Sequence, residues 1–360
     1  MTITKFLPGK SEGELKAQSV SYQSPSNIAL IKYWGKHGLQ IPKNPSISFT
    51  LDNCRTTTTL NWKERTQHQE DYELKVILDG KHKPGFEPKI HQFFGRVVEY
   101  LPFIKDYAFT IDTTNSFPHS SGIASSASGF SALALCLMEM EREMNPQMSQ
   151  KTFDQKASFI ARLGSGSGCR SLKGPLVVWG EHPEIKGSSD IFGVEYPYAI
   201  HEVFDNYQDA ILLVDQGEKQ VSSTVGHNLM HNHAYAPSRF NQAIENLSSL
   251  IPVLESGDLE QFVNIVESEA LTLHAMMLTS NPYFILMKPN TLKIIEELWQ
   301  YRRETKIPVC FTLDAGANVH VLFPQNYRKE VQDFVKSELS SYCQDNRYIF
   351  DNVGDGALKL

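Results

Sequence analysis

Phe117-Pro118-His119-Ser120-Ser121-Gly122-Ile123-Ala124-Ser125-Ser126-Ala127-Ser128-Gly129-Phe130 passes from a loop of small residues into an apolar run through Leu133, Leu135 and Leu137. Small residues let a backbone approach a ligand closely, and the apolar run predicts a buried helix beginning near Ser125. The start of a helix carries unpaired N–H groups and partial positive charge, which suits a polyphosphate, while serine hydroxyls can serve phosphate oxygens or a magnesium ion. The candidate nucleotide-contacting residues are therefore Ser120, Ser121, Gly122, Ala124, Ser125 and Ser126. A serine-capped core helix behind a flexible loop would use the same residues, so this segment alone leaves both readings open. No Gly-Lys-Ser/Thr ending and no Gly-x-Gly-x-x-Gly after a strand is present, which excludes the two commonest nucleotide loops.

Three other stretches complement this loop. Gly164-Ser165-Gly166-Ser167-Gly168-Cys169-Arg170-Ser171-Leu172 offers a backbone able to wrap an anion and a guanidinium able to grip a carboxylate or phosphate bidentately. A Gly/Ser linker is the alternative, although the run leads straight into the strand-like Pro175 to Trp179. Val309 to Phe323 places an apolar strand on each side of a tight turn that carries Asp314, and Asp with Gly two residues on also fits an ordinary hairpin. Near the start, Lys32 follows Leu30 and Ile31, where an ammonium must find a partner or point into a wet cleft, and Lys36 follows Tyr33-Trp34-Gly35. Either lysine could instead snorkel at the surface.

Together these segments resemble the diphosphomevalonate decarboxylase family, within the superfamily of galactokinase, homoserine, mevalonate and phosphomevalonate kinases (GHMP). The resemblance rests on Asn27 to Lys36, Asn44 to Leu51, Phe117 to Phe130, Gly164 to Leu172, Val221 to Thr224 and Asp314 to Asn318. It implies an α+β, two-lobed GHMP kinase fold, with an N-terminal lobe like domain 2 of ribosomal protein S5, an α/β C-terminal lobe and the site in the cleft between them. It also implies ATP-dependent decarboxylation of mevalonate 5-diphosphate to isopentenyl diphosphate, ADP, phosphate and carbon dioxide, with magnesium, in the mevalonate pathway of isoprenoid biosynthesis. The alternative is a superfamily kinase or decarboxylase that takes mevalonate or its 5-phosphate.

By position, Asp314 matches the family's catalytic aspartate and Lys32 the lysine beside it. Ser126 matches the phosphate-loop serine that serves the ATP phosphates and the metal, and Arg170 the arginine that holds the substrate carboxylate. Tyr33, Lys36, Ser165, Ser167 and Ser222 match positions lining the pocket or contacting the diphosphate end. Several positions depart from the family pattern. Ala317 stands where proline is common, so the turn is less pre-set in φ. His119-Ser120-Ser121 makes the loop entrance more polar, and Lys89 takes a place often held by arginine. His227 stands where methionine is frequent, a difference for which the sequence offers no account.

Composition fits a globular enzyme. In 360 residues, 41% hydrophobic, the chain can build one large core or two lobes, and a boundary is expected near residue 200, giving lobes of 1–200 and 201–360. A net charge of -7 requires a local cationic cluster to hold an anion, and the absence of a basic stripe argues against nucleic acid. Five scattered cysteines without Cys-x-x-Cys spacing read as reduced thiols, and Cys169 reads as packed rather than nucleophilic. His227, His231 and His233 match no common zinc spacing. With no signal-like or membrane-length apolar run, the expectation is a cytoplasmic protein without membrane partners, and the resemblance implies a homodimer. Strands are expected near 46–51, 56–62, 73–78, 109–113 and 210–214, and helices near 90–101, 240–254, 259–277 and 292–302.

Overall fold

A computed structural model describes residues 3–9, 13, 15–66, 71–118, 123–217 and 223–360. His119, Ser120, Ser121, Gly122 and Ser222, expected at the site, lie outside the described residues.

The first sheet is built on two long strands, β1 (Ser19–Ile31) and β2 (Ser46–Glu64), joined by β3 (Glu73–Leu78), β4 (Tyr107–Asn115) and β5 (Leu176–Trp179). Its main path runs from the two-residue strand Leu358–Lys359 through β1, β2, β4 and β3 to Lys81–His82, while β5 pairs with β2 and then with Val194–Glu195. Pairing is antiparallel except between β3 and β4. The sequence pattern suggests two strands over 46–51 and 56–62, and the structure makes them one. Register jumps from Asn27↔Thr50 to Pro25↔Arg55, so the intervening residues of β2 bulge out of the ladder. The Asp351 carboxylate satisfies the bulge, accepting from the N–H groups of Asp52 (3.1 Å), Asn53 (2.7 Å) and Cys54 (2.8 Å). The bulge also accommodates Pro25, which cannot donate to the ladder.

The apolar run after Ser125 forms the helix α2 (Ser125–Met144), buried almost all round between the sheet and α3 (Gln150–Gly164). A helix apolar on every face belongs in a core. With α1 (Glu87–Val97) it covers one face of the first sheet, where Phe93, Phe94, Phe109, Phe130 and Phe159 pack together.

The second sheet orders β7 (Cys310–Thr312), β8 (Val319–Phe323), β6 (Gln208–Leu212) and β9 (Tyr348–Asn352), all antiparallel. Helices α5 (Ala236–Ser256) and α6 (Leu259–Leu278) contribute to a core shared with β1, β2 and β5, in which Phe49, Tyr207 and Phe262 meet. Helix α7 (Pro289–Thr305) packs beside the second sheet, with Ile294, Ile295 and Leu298 against Phe311 and Val321. The short α4 (Ser223–Asn228) precedes α5 and brings His227 against Tyr33 and Trp34. Among the described residues no helix is long and apolar enough to cross a membrane.

Candidate active site

Strand β1 ends at Ile31, and the next residue, Lys32, is 1% exposed. Its Nζ lies 3.0 Å from Asp314 Oδ1, whose side chain keeps 32% exposure, so the pair is reached by solvent from the aspartate side rather than sealed in the core. Burial pushes the Lys32 ammonium below its ordinary value, and the Asp314 carboxylate acts in the opposite sense. The peptide of Lys32 is fixed as firmly as its side chain. Its N–H donates to Glu269 Oε2 at 2.8 Å, and its carbonyl accepts from Asn44 Nδ2 at 2.9 Å and Arg239 Nη2 at 3.3 Å. Glu269 and Arg239 form a fully buried bidentate pair at 2.9 and 2.5 Å, and Asn246 donates to Glu269 at 2.7 Å.

Asp314 stands between β7 and β8, as the sequence pattern predicts, but the connection is wider than a two-residue hairpin because the last register pair is Thr312↔His320. The Gly316 N–H returns to the Asp314 carbonyl at 2.7 Å, and His274 Nε2 donates to the same carbonyl at 3.1 Å. Thr291 Oγ1 donates to the Ala317 carbonyl at 2.6 Å, which anchors the turn where proline would have stiffened it. Helix α6 thus holds both partners: Glu269 takes the Lys32 amide, and His274, five residues on, takes the Asp314 carbonyl. Sequence reasoning missed Glu269, Arg239 and His274. The signal was present, since Phe262, Val266, Glu269 and Leu273 share one helical stripe, and a carboxylate on a buried stripe demands a partner.

The Gly/Ser run is neither a linker nor an extended wrap. Residues Gly166–Arg170 form a 3-10 turn set off from α3 by the extended Ser165, with the Gly168 N–H bonded to the Ser165 carbonyl at 2.7 Å. Side chains are excluded for packing reasons as well as flexibility. A Cβ on Gly164 would meet Phe130 Cδ1 at 2.2 Å, and one on Gly166 would meet the Tyr33 hydroxyl and Trp179 at 3.0 Å. The turn delivers Arg170, 3% exposed, over the Trp179 ring at 5.7 Å, with Nη1 on Ser46 Oγ at 2.5 Å. Its Nε has no hydrogen-bond partner, and among the described residues no carboxylate lies within ion-pair distance of Arg170. Lys32 and Asp314 are both within electrostatic reach of it. A buried guanidinium with donors to spare is costly unless an anion arrives. Cys169 is buried, its Sγ 3.0 Å from the Gly166 carbonyl, and burial pushes the thiol up to about 12, so it is inert packing as expected.

Tyr33 lies half-buried against Trp179 (4.6 Å) and His227 (4.2 Å), and Lys36 Nζ donates to Gln40 at 2.8 Å. Ser165 and Ser167 are the partly exposed members of the turn, and the Ser167 carbonyl accepts from Asn27 at 3.3 Å. At the serine-rich loop, Ala124 adopts φ 31°, and the first helical bonds come from the Ala127 and Ser128 N–H groups to its carbonyl. The amides of Ser125 and Ser126 precede those bonds and have no earlier carbonyl within the helix to reach. Lys89 Nζ donates to Ser126 Oγ at 2.8 Å and lies over the Phe130 ring at 5.2 Å, so this helix start gathers an ammonium, a hydroxyl and helix amides. The loop side joins the arginine turn closely: a Cβ on Gly168 would stand 3.3 Å from the Ala127 carbonyl.

Two family models cover most of the chain. The Diphosphomevalonate decarboxylase-like N-terminal domain matches residues 24–190, and the Mevalonate 5-diphosphate decarboxylase C-terminal domain matches residues 210–354. The chain belongs to the diphosphomevalonate decarboxylase family. A family member from Debaryomyces hansenii is 30% identical over 331 residues, spanning 86% of this chain and 81% of its own. One from Ganoderma lucidum is 29% identical over 333 residues, spanning 87% and 80%. Among solved structures, the mevalonate diphosphate decarboxylase from Staphylococcus aureus superposes with TM-score 0.80 at 28% identity, covering 95% of this chain and 98% of that one. A second, described as MDDEF in complex with MVAPP, AMPPCP and magnesium, gives TM-score 0.80 at 28% identity, with 95% and 99% covered. The α+β, two-lobed fold expected from the sequence is the fold of this family.

Proposed function

We propose that this chain catalyses ATP-dependent decarboxylation of mevalonate 5-diphosphate, giving isopentenyl diphosphate, ADP, phosphate and carbon dioxide. One observation carries the reading: Lys32 and Asp314, 3.0 Å apart, lie within electrostatic reach of Arg170, a buried cation with an unspent donor. A base beside an ammonium activates a hydroxyl, and an unpaired guanidinium receives a carboxylate. A tertiary 3-hydroxy acid brings both groups.

In this reading the C3 hydroxyl approaches Asp314, which takes its proton as the γ-phosphoryl group arrives, while Lys32 offsets the charge that gathers there. Arg170 holds the carboxylate with its free edge. Phosphate then departs from C3 with its bonding electrons. The carboxylate's C–C bond supplies the electrons of the new alkene, and carbon dioxide leaves. No electron sink is needed, because the departing phosphate has already taken a pair. Tyr33, Lys36, Ser165, Ser167 and Ser222 belong to the substrate's pocket and diphosphate end. Ser120, Ser121, Gly122, Ala124, Ser125 and Ser126, with the helix start at Ser125, receive the ATP phosphates, and the Ser126 hydroxyl, which accepts from Lys89, would offer its remaining lone pair to a magnesium ion, which would neutralise phosphate charge when bound. The named complex with AMPPCP and magnesium supports this assignment by family likeness. We assign the lobes to 1–200 and 201–360, and place the protein in the cytoplasm as a homodimer.

The test is an assay of purified protein with ATP, magnesium and mevalonate 5-diphosphate that monitors ADP and carbon dioxide together. Equal release of both is expected. ADP without carbon dioxide would make the protein a kinase, and neither product would make it a binder. A parallel run with the 5-monophosphate reads chain-end specificity.

A further inference from the structure

His227 is 7% exposed, and its ring lies against Tyr33 at 4.2 Å and Trp34 at 4.6 Å. Its Nδ1 accepts the Gly35 N–H at 2.9 Å. A backbone amide can only donate, so Nδ1 carries no proton, and in the neutral ring the proton must sit on Nε2. Burial, reinforced by the positive charges of Lys36 and Arg170, pushes the imidazole down to about 3, so the ring is neutral wherever the enzyme works. Among the described residues nothing accepts from Nε2. The position thus holds a neutral N–H donor, locked in one tautomer, beside Tyr33 and within electrostatic reach of Lys36 and Arg170.

We propose that His227 is a substrate-binding residue whose Nε2–H donates to a phosphoryl oxygen at the diphosphate end of the substrate. The inference rests on the reading given under Proposed function and adds a specificity contact to it. Phosphoryl oxygen is the chemistry that suits the position. The neighbouring cations attract an anion, and a neutral donor among them adds a directed hydrogen bond without adding a further positive charge to a site already crowded with them. The Gly35 contact supplies the orientation. Gly35 has φ 93°, and a Cβ there would stand 2.9 Å from Phe240, so the amide that fixes the histidine is itself held by a glycine-only backbone.

Two substitutions separate a binding role from a packing role. His227→Asn keeps an oxygen near the Nδ1 position, able to accept from Gly35, and removes the distal donor. His227→Gln keeps an N–H near the Nε2 position and gives up the acceptor for Gly35. The expected result is a rise of about tenfold or more in KM for mevalonate 5-diphosphate in H227N, with KM for ATP and kcat nearly unchanged, and recovery of most of that loss in H227Q. Because the ring does not titrate in the working range, the KM difference should be the same from pH 6 to 8.5. Inorganic pyrophosphate, tested as a competitive inhibitor, should weaken in parallel in H227N. The reverse order, with H227N close to wild type and H227Q impaired, would show that histidine only props up Gly35 and would overturn the proposal. Unchanged KM in both variants would overturn it as well. Turnover of the wild type in the same assay tests the underlying reaction separately.

Discussion

Lys32 Nζ and Asp314 Oδ1 lie 3.0 Å apart across 282 residues of sequence, and one helix fixes both of them through their backbones. The side-chain contact is therefore not a chance surface ion pair of the kind worth little. Asp314→Asn should lower kcat by about 10²–10⁴-fold, the usual contribution of a positioned base, with a smaller change in KM for either substrate. Steady-state kinetics measure this directly, and a kcat within a few-fold of wild type would remove Asp314 from the chemistry.

Arg170 should trade stability for function. Arg170→Met removes a buried cation that lacks an ion-pair partner among the described residues, so the variant should melt several degrees above wild type in a thermal scan without ligand. The same variant should lose about tenfold or more in kcat/KM for the carboxylate substrate. Arg170→Lys should rescue little, because an ammonium cannot replace the fork over Trp179.

The Arg239–Glu269 pair is buried on both sides and supports the Lys32 peptide. Glu269→Gln strands the guanidinium and should cost about 3–5 kcal/mol in urea unfolding. An Arg239→Met/Glu269→Leu double variant should regain much of that stability while kcat stays low, since the Lys32 N–H then lacks its acceptor. Full recovery of kcat in the double variant would show that the clamp serves folding alone.

Gly164→Ala places a methyl group 2.2 Å from Phe130 Cδ1. Phe130 lies one turn beyond the start of α2, so the displaced ring should disturb Lys89 and Ser126 as well as the core. A loss of about 1–3 kcal/mol is expected, together with a raised KM for ATP.

Stability should fall on mild acidification. Burial is the main cause that pushes His227 down to about 3 and His274 down to about 4, while the unfolded chain titrates near 6.5. Above about pH 6.5 both states are neutral and nothing is lost. As the pH drops below that value the unfolded state takes up protons that the folded state refuses, and the loss grows until the folded values are reached, by about 3 kcal/mol or more for each histidine. Melting temperature measured from pH 7 to 4.5 should decline, and a His227→Asn/His274→Asn variant should show a flatter profile from its own starting value.

The parts of the molecule legible in the sequence are those where one local signal decides. The helix start at Ser125 follows from small residues giving way to an apolar run, and Asp314 falls between two short apolar strands. Other features depend on distant partners. The gap that divides 46–51 from 56–62 in the pattern is a bulge whose amides are satisfied by Asp351, and no local reading of residues 51–54 reveals that carboxylate. Helix α3 carries Lys156 and Arg162 on buried positions, where Lys156 pairs with Glu141 and Arg162 donates to the carbonyls of Leu39, Gln40 and Ile191, so its apolar stripe is not visible in the local pattern. Such residues make an element look solvent-exposed until their partners are known. His227 gained its explanation in the same way, from Gly35, Tyr33 and Trp34 on a segment far away in sequence.

Leu358 and Lys359 pair with Gln23 and Tyr22 at the border of the first sheet, and Arg55 donates to the Asp355 and Gly356 carbonyls. Asp351 meanwhile closes the bulge in β2. During translation, then, the first lobe emerges unfinished. Its border strand and the acceptor for its kink come from residues 351–359, which are made only after β6, β7 and β8 of the second sheet, so assembly proceeds as a loop closed by a late segment rather than as two beads in series.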